Sequence, residues 1–233
     1  MTSLAPFWRY YGGKNRLAPR YVPPHYERII EPFAGAAGYS CRYANRMVTL
    51  YDKSPIIAGM WRFLIASKPE DILRIPLLEP EQSVADLPVC QEARWLVGFW
   101  SNTAGTYPGQ TASAWAKSHS DTHNWVGWGE QARTRVARQV LFIKHWKIVE
   151  GDYTGAPDVK ATWFIDPPYN NEAGKRYPHQ PDSFQELGVW CQSRRGQVIV
   201  CEQEGADWLP FEPFIEAKAR RTPSKEVVYV QYS

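Results

Sequence analysis

The chain has 233 residues, of which 44% are hydrophobic and 22% are charged. These proportions exclude a disordered or fibrous chain, and the length suffices for one sizeable core or for one domain with a substantial insertion, the arrangement we favour. The net charge is only +3, so total charge is weak evidence for a polyanionic partner.

Neither the cysteines nor the apolar segments indicate a secreted or membrane protein. Cys41, Cys90, Cys191 and Cys201 are scattered, with no Cys-x-x-Cys pair and no His at ligand spacing. We therefore expect reduced, mostly buried thiols and no metal site. The N-terminus lacks the apolar stretch of a signal peptide, and Arg62 interrupts the longest apolar run. A cytoplasmic protein with no membrane partner is expected.

The first part of the chain predicts a strand, a turn of small residues and a helix. Tyr10–Lys14 contains two aromatic residues, two glycines and a cation, a pattern equally typical of a surface turn and of a backbone that approaches a ligand. Glu27–Phe33 predicts a strand, followed by the small-residue turn Ala34–Ser40 and a helix over Cys41–Met47. In a doubly wound sheet this unit binds a cofactor; a turn without a ligand is the alternative.

A second predicted strand, Val48–Asp52, ends in a carboxylate. Asp52 follows Gly35 at about the spacing that one βαβ unit needs to return a carboxylate beside the turn. There it can accept two hydrogen bonds from vicinal ribose hydroxyls. Ser54 is expected to cap the next helix, with Pro55 at its first position.

Between residues 67 and 144 the alternation of strands and helices stops. Gln91–Trp100 predicts an apolar helix, residues 101–129 are rich in small and polar residues with three Trp, and Gln131–Ile143 predicts a basic amphipathic helix. Exposed aromatic rings among basic residues would stack nucleic-acid bases, although most rings are expected in the core. We interpret the segment as a substrate-reading insertion; a helical elaboration that serves stability or dimerisation is the alternative.

The sheet pattern resumes at Trp146, and its next strand stops at two prolines. Trp146–Tyr153 is again an apolar strand that ends in a carboxylate and an aromatic ring. Ala161–Tyr169 predicts a buried strand interrupted by Pro-Pro, which has no N–H and a fixed φ. Asp166 then projects from the carboxyl end of the strand, where open α/β sheets place ligands. A carboxylate, fixed carbonyls and the Tyr169 ring suit a flat substrate with an amino group, although structural Asp-Pro-Pro turns also occur.

The remaining chain predicts five further features. The polar loop Asn170–Ser183 is expected to close on substrate. A helix over Phe184–Ser193 and a strand over Gly196–Glu202 follow, then a bend near Trp208–Phe214. Glu226–Tyr232 alternates as a final, antiparallel strand would.

Five motifs in this order resemble those of the Dam-type DNA adenine N6-methyltransferases, which use S-adenosylmethionine. They are Tyr10–Lys14, Glu31–Gly35, the strand-end Asp52, Gly151–Tyr153 and Asp166–Tyr169. The resemblance runs from residue 7 to the C-terminus, and residues 67–144 match only in position. One departure is Ala37, which stands where the family usually has a second glycine.

The resemblance implies a fold, a partner and a site. The implied fold is α/β, a Rossmann-like S-adenosylmethionine-dependent methyltransferase domain (residues 1–66 and 145–233) with a largely helical, loop-rich target-recognition insertion (residues 67–144). The implied partner is double-stranded DNA, and we expect a monomer. The implied cofactor-binding residues are Tyr10, Lys14, Glu31, Pro32, Phe33, Gly35, Asp52, Asp152, Tyr153 and Asp166, and the implied catalytic residues are Asp166, Pro167, Pro168 and Tyr169.

The chemistry of the tetrapeptide Asp166–Tyr169 agrees with this resemblance. Adenine N6 is a poor nucleophile because its lone pair is delocalised into the ring. If Asp166 and the Pro167 carbonyl accept its two N–H bonds, N6 is held more tetrahedrally, with its lone pair aimed at the methyl sulfonium. Tyr169 would stack on an adenine rotated out of the duplex.

Two other kinds of function remain as alternatives. The first is methylation of another planar amino group: cytosine N4, an RNA adenine or a protein glutamine amide. Those relatives more often carry Ser or Asn at the position of Asp166. The second is a non-catalytic nucleic-acid-binding protein on the same fold, against which the intact Asp52, Asp166 and Tyr169 argue.

Overall fold

The computed structural model describes residues 3–79, 82–102, 105–111, 127–217 and 224–233. Much of the predicted stretch 101–129 therefore lies outside the described residues. The strands are β1 (Arg28–Glu31), β2 (Met47–Asp52), β3 (Lys147–Glu150), β4 (Ala161–Ile165), β5 (Gly196–Gln203), β6 (Glu212–Ala217) and β7 (Ser224–Tyr232). The α-helices are α1 (Gly38–Arg42), α2 (Pro55–Ala66), α3 (Pro69–Leu73), α4 (Gln91–Ser101), α5 (Glu130–Gln139) and α6 (Phe184–Gln192).

The seven strands form one mixed sheet in the order β3-β2-β1-β4-β5-β7-β6. Strand β1 pairs in parallel with β2 on one side and β4 on the other, and β4 pairs in parallel with β5. Strand β7 is antiparallel to both β5 and β6, as predicted for the final strand. The α/β class is confirmed, and the sheet is compatible with a Rossmann-like domain. Its order reverses between β1 and β4, the kind of position at which open α/β sheets bind ligands.

The chain divides into two compact units. The first contains Met1–Tyr21, Gly35–Asn45 and Pro55–Ile148, and the second contains Val22–Ala34, Arg46–Ser54 and Val149–Ser233. Helices α1 to α5 therefore belong to the first unit. The second unit holds α6 and every strand except the first half of β3.

Strand β4 is the centre of the core of the second unit. All five of its side chains are buried, as are the first seven residues of β5. A parallel strand covered on both faces reads as a continuous apolar run rather than an alternating one, which is why β4 was predictable. The regular strand ends at Ile165, so Asp166 is the first residue beyond it.

Aromatic rings fill the core of the first unit. The Trp61 ring packs against Phe7, Trp8 and Trp146, with centroid distances of 5.4, 4.8 and 5.6 Å. Its indole N–H donates a hydrogen bond to the carbonyl of Gly35 at 2.8 Å. These rings bury apolar area and also fix the turn that follows β1.

The local predictions hold for most elements, with two errors. The helix expected over Cys41–Met47 is wrong, because α1 ends at Arg42, Tyr43 leaves the helical region (φ −119°, ψ 44°), and Met47 already begins β2. The bend at Trp208 is present, but β6, which pairs with β7, was not predicted. Three of the four cysteines are buried and Cys90 is exposed, in agreement with the sequence.

Small residues in the turn before α1 are explained by packing inside the first unit. Gly35 has φ +44°, and a Cβ there would come within 3.0 Å of the Tyr10 ring. A Cβ at Gly38 would lie 2.7 Å from the backbone nitrogen of Asn15. Ala37 has φ 47° although it is not glycine, a left-handed conformation that costs an L-residue about 1–2 kcal/mol. Ala37, which stands where the resembled family usually has glycine, therefore has a backbone conformation that favours glycine.

Substitutions at Ala37 test this conformation. Ala37→Val should lower the free energy of unfolding by about 2 kcal/mol or more, because a β-branched residue is strained at positive φ and overfills a buried site. Ala37→Gly should change it by less than about 1 kcal/mol, since relief of strain is offset by lost methyl burial and a more flexible unfolded chain. Urea unfolding measures both variants, and equal losses would contradict the argument.

Candidate active site

Four acidic residues lie at the carboxyl ends of parallel strands in the second unit. Glu31 ends β1, Asp52 ends β2, Asp166 follows β4, and Glu202 is the last residue but one of β5. Because these strands are parallel neighbours, their carboxyl ends meet at one edge of the sheet. Glu31 and Glu202 are buried, whereas Asp52 and Asp166 are half-buried. Asp52 and Asp166 are thus the more accessible of the four.

The tetrapeptide Asp166–Tyr169 leaves β4 without regular secondary structure. Pro167 is buried, and its three neighbours in the tetrapeptide are half-buried. The chain then folds back tightly, because the Tyr169 carbonyl accepts a hydrogen bond from the Asn171 N–H at 2.7 Å. A Cβ at Gly174 would lie only 1.8 Å from the same carbonyl oxygen, so this position requires glycine. The loop begins as a defined turn, and its closure on substrate stays a prediction.

The Asp52 carboxylate already holds part of the backbone. Its Oδ1 accepts a hydrogen bond from the Ser54 N–H at 2.9 Å, immediately before α2. The Asp52 carbonyl accepts another from Gly151 at 3.0 Å, which links the ends of β2 and β3. A carboxylate has two oxygens and about four lone-pair positions, and the Ser54 N–H bond is made to Oδ1.

Asp152 is engaged locally. Its Oδ1 accepts hydrogen bonds from both the N–H and the hydroxyl of Thr154, each at 3.0 Å, and its carboxylate lies 3.4 Å from the Lys53 ammonium. Burial alone would raise the pKa of Asp152, but the Thr154 hydrogen bonds and the Lys53 charge outweigh it and hold that pKa below its usual value. The side chain therefore caps the short 3₁₀ turn Tyr153–Gly155.

The Tyr153 ring is a core ring. It is 7% exposed, stacks on Phe33 at a centroid distance of 5.4 Å and meets the edge of Trp190 at 5.0 Å. Burial, and then the neighbouring Asp152 charge, raises the pKa of the Tyr153 hydroxyl. Phe33 is the more accessible ring of the stacked pair. Two predicted site residues are thus in contact, and a ligand contact for either of them stays a prediction.

The predicted site residues Tyr10, Lys14 and Gly35 belong to the first unit. The Tyr10 ring lies against Gly35 and meets Phe99 edge-on at 5.7 Å. Lys14 is 5% exposed, and its ammonium donates a hydrogen bond to the Gly12 carbonyl at 3.2 Å. The structure brings Tyr10 and Gly35 together; a cofactor contact for these three residues stays a prediction.

The basic helix α5 contains arginines with different roles. The Arg133 guanidinium pairs with Glu130 and donates to the Ile75 carbonyl at 3.1 Å, so it ties α5 to the end of α3. The Arg135 guanidinium lies over the Trp100 ring at 5.0 Å, and Arg9 lies 5.3 Å from the same ring. Burial lowers the pKa of both Arg9 and Arg135, and the Arg135 charge lowers that of Arg9 further.

A groove of about 460 Å³ runs along α5. It is lined by Glu130, Gln131, Thr134, Arg135, Arg138 and Gln139. None of these residues belongs to the predicted cofactor-binding or catalytic set, so we treat the groove as a surface separate from the tetrapeptide.

Glu202 is a residue that the sequence analysis missed. The predicted strand Gly196–Glu202 ended in a carboxylate, as three other strands did, and that repetition was the available signal. The side chain is 1% exposed and accepts hydrogen bonds from the Asn170 N–H and the Trp208 indole N–H. Its role follows from those partners, which no sequence pattern shows.

The described residues contain neither a cluster suited to a metal ion nor a helix suited to a membrane. Across those ranges, no group of three or more His, Cys, Asp or Glu side chains is arranged to hold a metal ion. No helix in the same part of the chain has both the length and the apolar character to cross a membrane.

The sequence matches neither a model of a known protein family nor a curated protein sequence.

Asp152→Asn tests what the negative charge of that carboxylate contributes, because Asn keeps an oxygen that can cap the turn. The variant should lower the free energy of unfolding at neutral pH by up to about 1 kcal/mol, a small value because the side chain is partly exposed. The folded-state pKa of Asp152 is lowered, so its stabilisation is complete above the unfolded-state value of about 3.9 and disappears as pH falls through the folded-state pKa. Urea unfolding of both proteins across the acidic range measures this; a difference that grows on acidification would contradict it.

Proposed function

We propose that the protein transfers a methyl group from S-adenosylmethionine to N6 of an adenine in double-stranded DNA. One observation carries the proposal: Asp166–Tyr169 follows a fully buried parallel strand whose neighbour is β1, where the strand order reverses. Ligands of open α/β sheets bind at such a reversal, outside the carboxyl ends of the strands. The choice of S-adenosylmethionine as the ligand and of methyl transfer as the reaction comes from the resemblance of the five motifs to the Dam-type methyltransferases.

The residues at this edge of the sheet fit the cofactor by their chemistry. S-adenosylmethionine supplies, when bound, an electrophilic methyl group on a sulfonium. The Asp52 carboxylate ends β2 and is an acceptor group of the kind that binds vicinal ribose hydroxyls. Phe33, supported from behind by Tyr153, offers an aromatic face to a purine.

Asp166 and Pro167 would prepare the substrate amino group. The Asp166 carboxylate and the Pro167 carbonyl accept the two N6–H bonds, which turns the N6 lone pair out of conjugation and toward the methyl carbon. S-adenosylmethionine, held by Asp52 and Phe33, would supply the methyl group to N6 and would be left as a neutral thioether. The surplus N6 proton is released to water. Asp166 acts as a hydrogen-bond acceptor, not as a full proton-abstracting base.

Tyr169 would hold the target base outside the duplex. Rotating a base out of the helix costs a few kcal/mol, and stacking on an aromatic ring returns about 1–3 kcal/mol. The half-buried position of Tyr169, directly after the two prolines, favours this role because the backbone that carries the ring is stiff.

The arginines of the first unit support DNA as the substrate. Arg9 and Arg135 place two guanidinium groups against one indole, that of Trp100, which concentrates positive charge in this part of the first unit. Arg138 is exposed on the groove along α5. Phosphate contacts of this kind supply most sequence-independent affinity for DNA.

Asp166→Ala tests the proposed reaction. Methyl transfer to duplex DNA should fall below detection, because N6 loses the acceptor that aligns it, while cofactor affinity should stay within about threefold of wild type. Initial rates with labelled S-adenosylmethionine and titration calorimetry measure the two quantities. Asp86→Ala, which removes an exposed carboxylate of the first unit, is the matched control and should behave as wild type. Unchanged turnover in Asp166→Ala would defeat the mechanism.

Charge removal on α5 tests the DNA partner. Replacing Arg135 and Arg138 together by Gln should weaken DNA binding and reduce the salt slope of the affinity by about two, since each phosphate contact contributes about 0.9 to that slope. Arg133→Gln is the comparison: its guanidinium is engaged by Glu130 and Ile75, so it should lower stability and leave the slope unchanged. An unchanged slope in the double variant would contradict DNA binding at α5.

A further inference from the structure

A buried carboxylate holds the residue that follows the tetrapeptide. Glu202 is 1% exposed, and its Oε2 accepts hydrogen bonds from the Asn170 N–H and the Trp208 indole N–H, both at 3.1 Å. Its Oε1 accepts a third from the Gln203 N–H at 2.8 Å. A buried carboxylate is tolerated only where donors replace its water, so these three donors and the side chain fix one another.

The next residue of β5 makes a second tie to the same turn. The Gln203 Oε1 accepts a hydrogen bond from the Asn171 side-chain amide at 2.7 Å. Asn171 in turn donates its backbone N–H to the Tyr169 carbonyl and accepts from the Gly174 N–H at 3.0 Å. Two consecutive residues of a buried strand therefore hold the two residues directly after Tyr169.

The packing of Trp208 restricts movement of Glu202, to which its indole N–H donates a hydrogen bond. Its ring packs on Phe184 and Phe211, with centroid distances of 5.6 and 5.0 Å. Gly188 on α6 lies so close that a Cβ there would be 2.6 Å from the Trp208 carbonyl oxygen. A shift of Glu202 would therefore require the packing around α6 to move.

We propose that Glu202 and Gln203 are positioning residues that set the backbone at Asn170 and Asn171, and through it the orientation of the Tyr169 ring. This inference rests on the proposed function, in which that ring stacks on the target base. Glu202 is buried among its donors and takes no part in proton transfer. A displacement of about 1 Å at a reacting or stacking group can cost on the order of a hundredfold in rate, so these hydrogen bonds have a catalytic consequence.

Two variants disrupt the Glu202–Asn170 and the Gln203–Asn171 hydrogen bonds separately. Glu202→Gln leaves one acceptor oxygen for three donors and turns an amide N–H₂ toward an N–H group. It should lower kcat by about ten- to a hundredfold, with the KM for S-adenosylmethionine within about twofold of wild type. Gln203→Leu should lower kcat by about tenfold, and Gln203→Glu, which keeps an acceptor for Asn171, should stay within about twofold.

Hydrogen exchange reports the same ties without any turnover. The Asn170 and Asn171 amides should exchange faster in Glu202→Gln and Gln203→Leu than in wild type, while amides of β4 keep their protection. If Glu202→Gln fails to fold, the pair Gln203→Leu and Gln203→Glu carries the test, because Gln203 is only half-buried. The proposal is supported if the Asn170 and Asn171 amides exchange faster and kcat falls in Gln203→Leu, and if both quantities return to wild-type values in Gln203→Glu.

Three results would overturn it. Wild-type kcat in both Glu202→Gln and Gln203→Leu, or a Gln203→Glu variant as slow as Gln203→Leu, would overturn the positioning role alone. A wild-type protein that methylates no acceptor would overturn the proposed function and the catalytic consequence with it, whatever the exchange rates show. The activity of the wild-type protein therefore tells the two failures apart.

Discussion

The candidate site depends on where hydrogen bonding of β4 stops. Ile165 pairs with Val200, whereas Pro167 and Pro168 have no N–H to continue a ladder. The five residues of β4 are buried, and the strand pairs with a parallel neighbour on each side, so its register in the sheet is fixed. Asp166 is therefore held at the end of this strand. A fixed strand end is what a reaction controlled by alignment requires, since small displacements of the amino group would cost rate.

The carboxylates at this edge of the sheet are separated by their surroundings. Glu202 is enclosed by three donors and holds the turn, and Asp152 caps a 3₁₀ turn beside Lys53. The Oδ1 of Asp52 accepts a hydrogen bond from the Ser54 N–H, and Asp166 is half-buried directly after β4. Similar side chains thus differ in burial and in the hydrogen-bond donors around them.

Much of the fold, and less of the site, could be predicted from the sequence. The continuous apolar run of β4, the Pro-Pro stop and the alternation of β7 are local signals, and they predicted these elements well. The length of α1 could not be predicted, because Tyr43 leaves the helical region and Met47 begins β2 although no glycine or proline between them marks a helix end. The packing of Tyr153 against Trp190 and the hydrogen bond between Glu202 and the distant Asn170 could not be predicted from local patterns. Tertiary contacts decide such roles.

Methyl transfer by the wild-type protein is the most direct test of the account. The protein would be incubated with labelled S-adenosylmethionine and a mixture of duplex DNA, single-stranded DNA and RNA, and the labelled nucleoside would be identified after digestion. The account predicts label in N6-methyladenine from duplex DNA. Label in N4-methylcytosine, label confined to RNA, or no labelled acceptor would contradict it.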